Sequence, residues 1–178
     1  MKPERKSNLT INGITVPGTS VGGLSAANTD EDLAAQLGCD GYLLLRDVHD
    51  SAEVEAARLE ILHRLAEVGE VSEPVENGLA SGTSNRRELY PTTQDLGEFW
   101  RSVSEGRAVR TVINGPRITN VMNSLFGVPS SHFTFAWLRA MTSGRASPLH
   151  VDHPYMNRGS KRLVTCWTPL SPISLYDG

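Results

Sequence analysis

At Ser131 the hydrophobic period of the chain changes, and no other feature constrains the fold as much. In the helical segments before it, the last of them ending at Phe126, the apolar residues recur every three or four positions, the spacing of helices with one buried face. From Ser131 they recur every second position. Phe133, Phe135 and Trp137 alternate with Thr134, Ala136 and Leu138, and Arg139 and Met141 continue the first set. A period of two belongs to a strand, whose successive side chains point to opposite faces. Helices followed by strands place the chain in the α+β class, or make it a sheet with helical cover.

The helical part is punctuated by its own residues. Asn28 or Thr29 reads as the N-cap of a helix over Asp30–Leu37, ended by Gly38. Tyr42–Val48 is an apolar run of strand length. Asp50, with Glu53 three residues on, opens the clearest helix. There Val54, Ala57, Arg58, Ile61, Leu65 and Val68 keep the spacing and Gly69 closes it. Leu96–Ser104 is a short helix carrying Phe99, Trp100 and Val103. Pro116 suits the first position of another, Arg117–Phe126, with Ile118, Val121, Met122 and Leu125 on one face and Gly127 and Pro129 as its stop. His49, His63 and His132 fall at structural or solvated positions.

Two stretches have no such order. Residues 1–28 are broken by Pro17, Gly22 and Gly23, and read as an irregular extension with a short strand within Leu9–Val16. Residues 70–94 carry Pro74, Asn77-Gly78, Ser81-Gly82 and Pro91. A connection of that length inside a compact domain is functional or disordered, and the expectation is a cover over an active site. The organisation is then an extension followed by one domain over 29–178, a length that can bury a real core.

Bulk properties exclude several classes. A net charge of −3 with scattered cations gives no footprint for nucleic acid or an anionic membrane. The two cysteines, Cys39 and Cys166, form neither a CxxC motif nor a framework, which implies a reducing compartment. No apolar run approaches the roughly 18 residues of a membrane span, and the basic N-terminus lacks the apolar core of a signal peptide. The expected location is cytoplasmic. Nothing indicates the oligomeric state.

Chemistry gathers after the period change. Leu149–Asp152 reads as a short strand following a Gly/Ser turn, so His150 and Asp152, two apart, share a face. One histidine and one carboxylate are two members of the facial triad that holds non-haem Fe(II). Five histidines and eight aspartates produce such a pair by chance in about one chain in five. A solvated turn in which Asp152 caps His153 or a backbone amide is the equal alternative. Arg162–Leu170 then reads as a strand with Leu163, Thr165 and Trp167 on one face.

The order of segments resembles the phytanoyl-CoA dioxygenase family of Fe(II)- and 2-oxoglutarate-dependent oxygenases. LHVDHPY is followed by LVTCWTPLSPIS and then Asp177-Gly178, as the family's H-x-D is followed by a W-x-P-L strand and an acidic-Gly turn. Upstream, QLGCDGYLLLRDV with Asp50, Glu53 and Val54 resembles its opening strand and helix. Arg117–Gly127 resembles the helix before its first barrel strand. The likeness runs over roughly residues 33–178, with 70–94 matching nothing.

The resemblance implies a fold and a site. Helices would pack on part of a double-stranded β-helix, or jelly roll, incomplete at its C-terminal end. His150 and Asp152 would ligate Fe(II). Trp167 would line the 2-oxoglutarate pocket, with Trp137 and Arg139 as further candidates for that wall. Decarboxylation of 2-oxoglutarate with O₂ would drive hydroxylation of a small organic substrate. Asp152 itself, where a halogenase has a small residue, points to hydroxylation. The family's distal His and the Arg that pairs with the far carboxylate of 2-oxoglutarate come after the acidic-Gly turn. The expectation is therefore the N-terminal portion of a longer enzyme, with weak iron binding and no turnover of its own. Two other classes stay open: a non-catalytic ligand-binding or scaffold domain of related β fold, and a cupin-type hydrolase or isomerase with further histidines close to His150.

Overall fold

The computed structural model describes residues 9–11, 14–16, 26–27, 32–140, 150–156 and 159–173. Most of the N-terminal extension, the turn expected over Thr142–Pro148, Leu149, and the acidic-Gly turn at Asp177-Gly178 lie outside the described residues.

Helix dominates. Strands β1 (Leu9–Ile11) and β2 (Ile14–Val16) pair antiparallel. Strand β3 (Ala26–Ala27) pairs in parallel with β4 (Leu44–Leu45), which follows helix α1 (Leu33–Asp40). Then come α2 (Ser51–Glu67), α3 (Arg86–Leu89), α4 (Thr93–Ser104), α5 (Arg107–Asn114), α6 (Pro116–Phe126) and the single turn α7 (His153–Met156).

The long helix α2 forms as its sequence dictates. The Asp50 carboxylate accepts from the Ala52 amide at 2.9 Å and the Glu53 amide at 3.3 Å, covering two of the donors a helix start leaves bare. Its Ala57, Ile61 and Leu65 stripe is buried and continues into Val68. Against it pack Phe99 and Val103 of α4 and Val109 and Val112 of α5, making one core. A second cluster joins Ala27, Leu33 of α1 and Leu125 of α6, with Leu37, Leu43, Leu45 and Val121 around it. Because α6 also touches α5, the two clusters form one helical layer.

Several expectations are corrected. Helix α1 starts three residues late because Asp32, not Asn28 or Thr29, caps it, accepting from the Ala34 amide at 3.1 Å and the Ala35 amide at 3.0 Å. Gly38 lies inside α1, and Gly41, at φ 75°, takes the left-handed turn that ends it. Only Leu44–Leu45 of the Tyr42–Val48 run is a strand. Within the expected loop 70–94, residues 70–81 form a hairpin-like excursion whose tip packs on α2, and Arg86–Leu89 is α3. Val71 bridges Ala80, the Ser72 amide donates to the Leu79 carbonyl at 2.8 Å, and Val75 is buried.

The largest correction concerns the fold class. No jelly roll, and no sheet beyond the two short pairs, exists among the described residues. Neither run, 131–140 nor 162–170, carries a ladder: burial alternates over 135–139, whereas in the second run Leu163 and Val164 are both half-buried and Thr165, Cys166 and Trp167 are all exposed. Alternation sets which side chains share a face; a ladder also needs a partner strand to take the backbone groups. Among the described residues no partner strand lies beside either run, and their side chains pack on helices instead. Leu138 and Leu170 pack on the central core and Val164 on the second cluster. The Arg110 guanidinium donates to the Thr134 carbonyl at 2.8 Å. Among the described residues the core is helical, with residues 131–140 and 162–170 laid against the helices. No helix among the described residues is long and apolar enough to cross a membrane.

Candidate metal site

The second extended run is pinned at both ends. Near its start, Arg162 donates to the Phe126 carbonyl at the end of α6, and its guanidinium lies 5.4 Å from the Phe126 ring centre. At its end, Leu170 enters the core. Thr165 lies between, and its hydroxyl donates to Asp152 Oδ2 at 2.8 Å. Asp152 also opens α7, its carbonyl accepting from the Tyr155 amide at 2.9 Å and the Met156 amide at 3.2 Å. The other carboxylate oxygen, Oδ1, stands 3.4 Å from His150 Nε2.

The sequence pair is thus brought together, though by a bend into a helical turn and not along a strand. Two donors each about 2.1 Å from one ion lie about 3.4 Å apart at a tetrahedral angle and about 3.0 Å apart at a right angle. The observed 3.4 Å separation falls at the wide end of that range. It also suits an ion pair between a protonated imidazole and the carboxylate. The imidazole side chain is 44% exposed and the carboxylate 25%, so the pair sits at the surface with the anion on the inner side. Among the described residues no group of three His, Cys, Asp or Glu side chains comes together to hold a metal ion. His150 and Asp152 therefore fit as two donors of a site, not as a complete one.

The residues expected to line a cofactor pocket divide. Trp167 is 71% exposed and falls two positions after Thr165. Trp137, 54% exposed, and Arg139 line a groove of about 360 Å³ with Trp100 and Ser104 of α4 and with Ala136 and Leu138. Neither Trp167, His150 nor Asp152 lines that groove. Trp137 and Arg139 thus share one groove, and Trp167 is not among its lining residues.

The role of Thr165 in holding Asp152 is not legible from spacing, since it is a tertiary contact across thirteen residues. Its only trace in the sequence is its place on the Leu163, Thr165 and Trp167 face. Comparison with known proteins adds no relative: no family model, no curated protein and no solved structure matches the chain.

Proposed function

We propose that the chain is a phytanoyl-CoA dioxygenase-like Fe(II)- and 2-oxoglutarate-dependent oxygenase that hydroxylates a small organic molecule, with His150 and Asp152 as two of its iron ligands. The observation that supports this reading is the approach of His150 Nε2 to Asp152 Oδ1, 3.4 Å, within the motif that carries the sequence resemblance. Bound iron and 2-oxoglutarate supply the oxidising chemistry, consuming O₂ and releasing succinate and CO₂. The chain's own residues supply donors and orientation. Nε2 of His150 and Oδ1 of Asp152 face one another, and Thr165 holds the other carboxylate oxygen, which fixes the rotation of the Asp152 side chain. Trp167 extends from the run that carries Thr165 and is the residue assigned to the 2-oxoglutarate side.

A non-catalytic ligand-binding or scaffold domain is the second reading. It is favoured by Asp152 meeting a protein group with both of its oxygens, as a tie between residues 150–152 and 162–170 would. Titration with Mn(II), followed by loss of the free-ion paramagnetic resonance signal, separates the two. On the oxygenase reading the wild type binds, and His150→Ala and Asp152→Ala each weaken binding tenfold or more. Equal Mn(II) binding by wild type and both variants, with loss of thermal stability alone, decides for the scaffold.

A further inference from the structure

The groove between α4 and residues 136–139 has a composition that the metal pair does not explain. Two of the protein's three tryptophans, Trp100 and Trp137, line it together with Arg139. Arg139 is exposed and makes neither a hydrogen bond nor an ion pair among the described residues. The neighbouring charges are spent elsewhere. Arg86, whose guanidinium lies 4.4 Å from the Trp100 ring centre, is paired with Glu70. Glu105, next to Ser104, is paired with Arg110 at 2.6 Å. Arg139 is therefore the uncompensated charge on the groove wall. Ser104, 9% exposed, contributes a hydroxyl whose hydrogen bond within the chain is a long 3.5 Å to the Arg101 carbonyl.

We infer that this groove binds a small aromatic carboxylate. Indole rings favour offset or edge-on packing with another aromatic ring, worth about 0.5–1.5 kcal/mol beyond the area buried. A guanidinium offers a planar fork that matches a carboxylate with two parallel hydrogen bonds. The volume, about 360 Å³, lies toward the lower end of the roughly 300–1,000 Å³ of small-ligand sites and suits a one- or two-ring acid. The Ser104 hydroxyl adds a polar contact beside the apolar walls. A ligand with a ring and no charge leaves Arg139 unmatched, and a charged ligand with no ring leaves the indoles unmatched. The inference does not rest on the iron reading, because none of the proposed iron ligands lines the groove.

Isothermal titration of the whole chain in metal-free buffer tests it, with 2-naphthoate, naphthalene-2-carboxamide and cyclohexanecarboxylate as probes. The expected result is saturable one-site binding of 2-naphthoate, with both other probes at least tenfold weaker. Arg139→Gln should bring the acid and the carboxamide to equal affinity. Trp137→Leu should weaken both aromatic probes together while leaving the preference for the acid. Each of three results overturns the inference: no saturable binding of 2-naphthoate, equal binding of acid and amide by the wild type, or a preference for the acid that survives Arg139→Gln. Because no metal is present, failure of the iron reading shows only in the Mn(II) titration and leaves these outcomes untouched.

Discussion

Oε2 of Glu60, in the middle of α2, accepts a hydrogen bond from the Ala108 amide at 2.9 Å, and with it one from Val109 at 3.1 Å. Helix α5 has Gly106 at its N-cap, which supplies no side-chain acceptor. One helix thus caps another, placing a carboxylate where the bare amides and the helix dipole favour a negative charge. Gly106 makes room for it: a Cβ there would run into the Glu60 carboxylate. The backbone at Gly106, φ −57° and ψ 157°, is open to any residue, so space and not conformation asks for glycine. Glu60→Ala should cost about 1–2 kcal/mol in denaturant unfolding, and Gly106→Ala about 1–3 kcal/mol through the clash. The two should not add. In the Glu60→Ala background the Gly106→Ala cost should vanish, and a double-mutant cycle reads that coupling directly.

The core makes a separate prediction. Phe99 is 2% exposed, its ring centre is 4.7 Å from that of Tyr90, and the Arg64 guanidinium lies 5.4 Å from it. Phe99→Ala opens a cavity where α2, α4 and α5 meet and should cost about 3–5 kcal/mol in equilibrium unfolding. Phe99→Leu, which keeps most of the volume, should cost clearly less.

His49, just before the cap of α2, has its pKa pushed below the ordinary histidine value, first by burial. Glu53 opposes that shift and Arg117 adds to it. The unfolded chain then takes up this proton more readily than the folded one. The contribution to stability is whole above the ordinary value near 6.5 and is lost progressively as pH falls below it, down to the folded pKa. Thermal melts from pH 8 to pH 5 should show stability falling over the acid part of that range, and His49→Asn should flatten the slope. An unchanged slope in the variant would assign the dependence to other groups.

What the sequence discloses depends on where each residue's partner lies. The start of α2 is legible because Asp50 caps amides two and three residues away. Helix α5 is not, because its cap comes from Glu60, forty-eight residues before Ala108. The alternation from Phe133 to Trp137 is legible as a shared face, and the rings do line up, with centres 5.3 and 6.1 Å apart. That it builds no sheet is not legible, because a strand's partner is a tertiary matter and Leu138 and Leu170 find theirs in helices. The nearness of His150 to Asp152 is legible from their spacing, but the bend into a helical turn that brings them together is not. The groove that Trp137 and Arg139 line is not legible, because its other wall, Trp100 and Ser104, comes from α4.

Thr165 gives the sharpest test of what Asp152 is for. Its hydroxyl donates to Oδ2 at 2.8 Å while Oδ1 faces His150 at 3.4 Å. A group that orients a metal-binding carboxylate from behind typically changes metal affinity by about 10–100-fold when removed. Thr165→Val keeps the shape and deletes the donor, and Thr165→Ser restores it. If the pair binds a divalent ion, Thr165→Val should weaken Mn(II) binding by a factor in that range and Thr165→Ser should leave it near the wild-type value. If Asp152 only ties the two runs together, Thr165→Val should lower the melting temperature and Mn(II) should bind neither protein. The two readings therefore part on a substitution that touches neither proposed ligand.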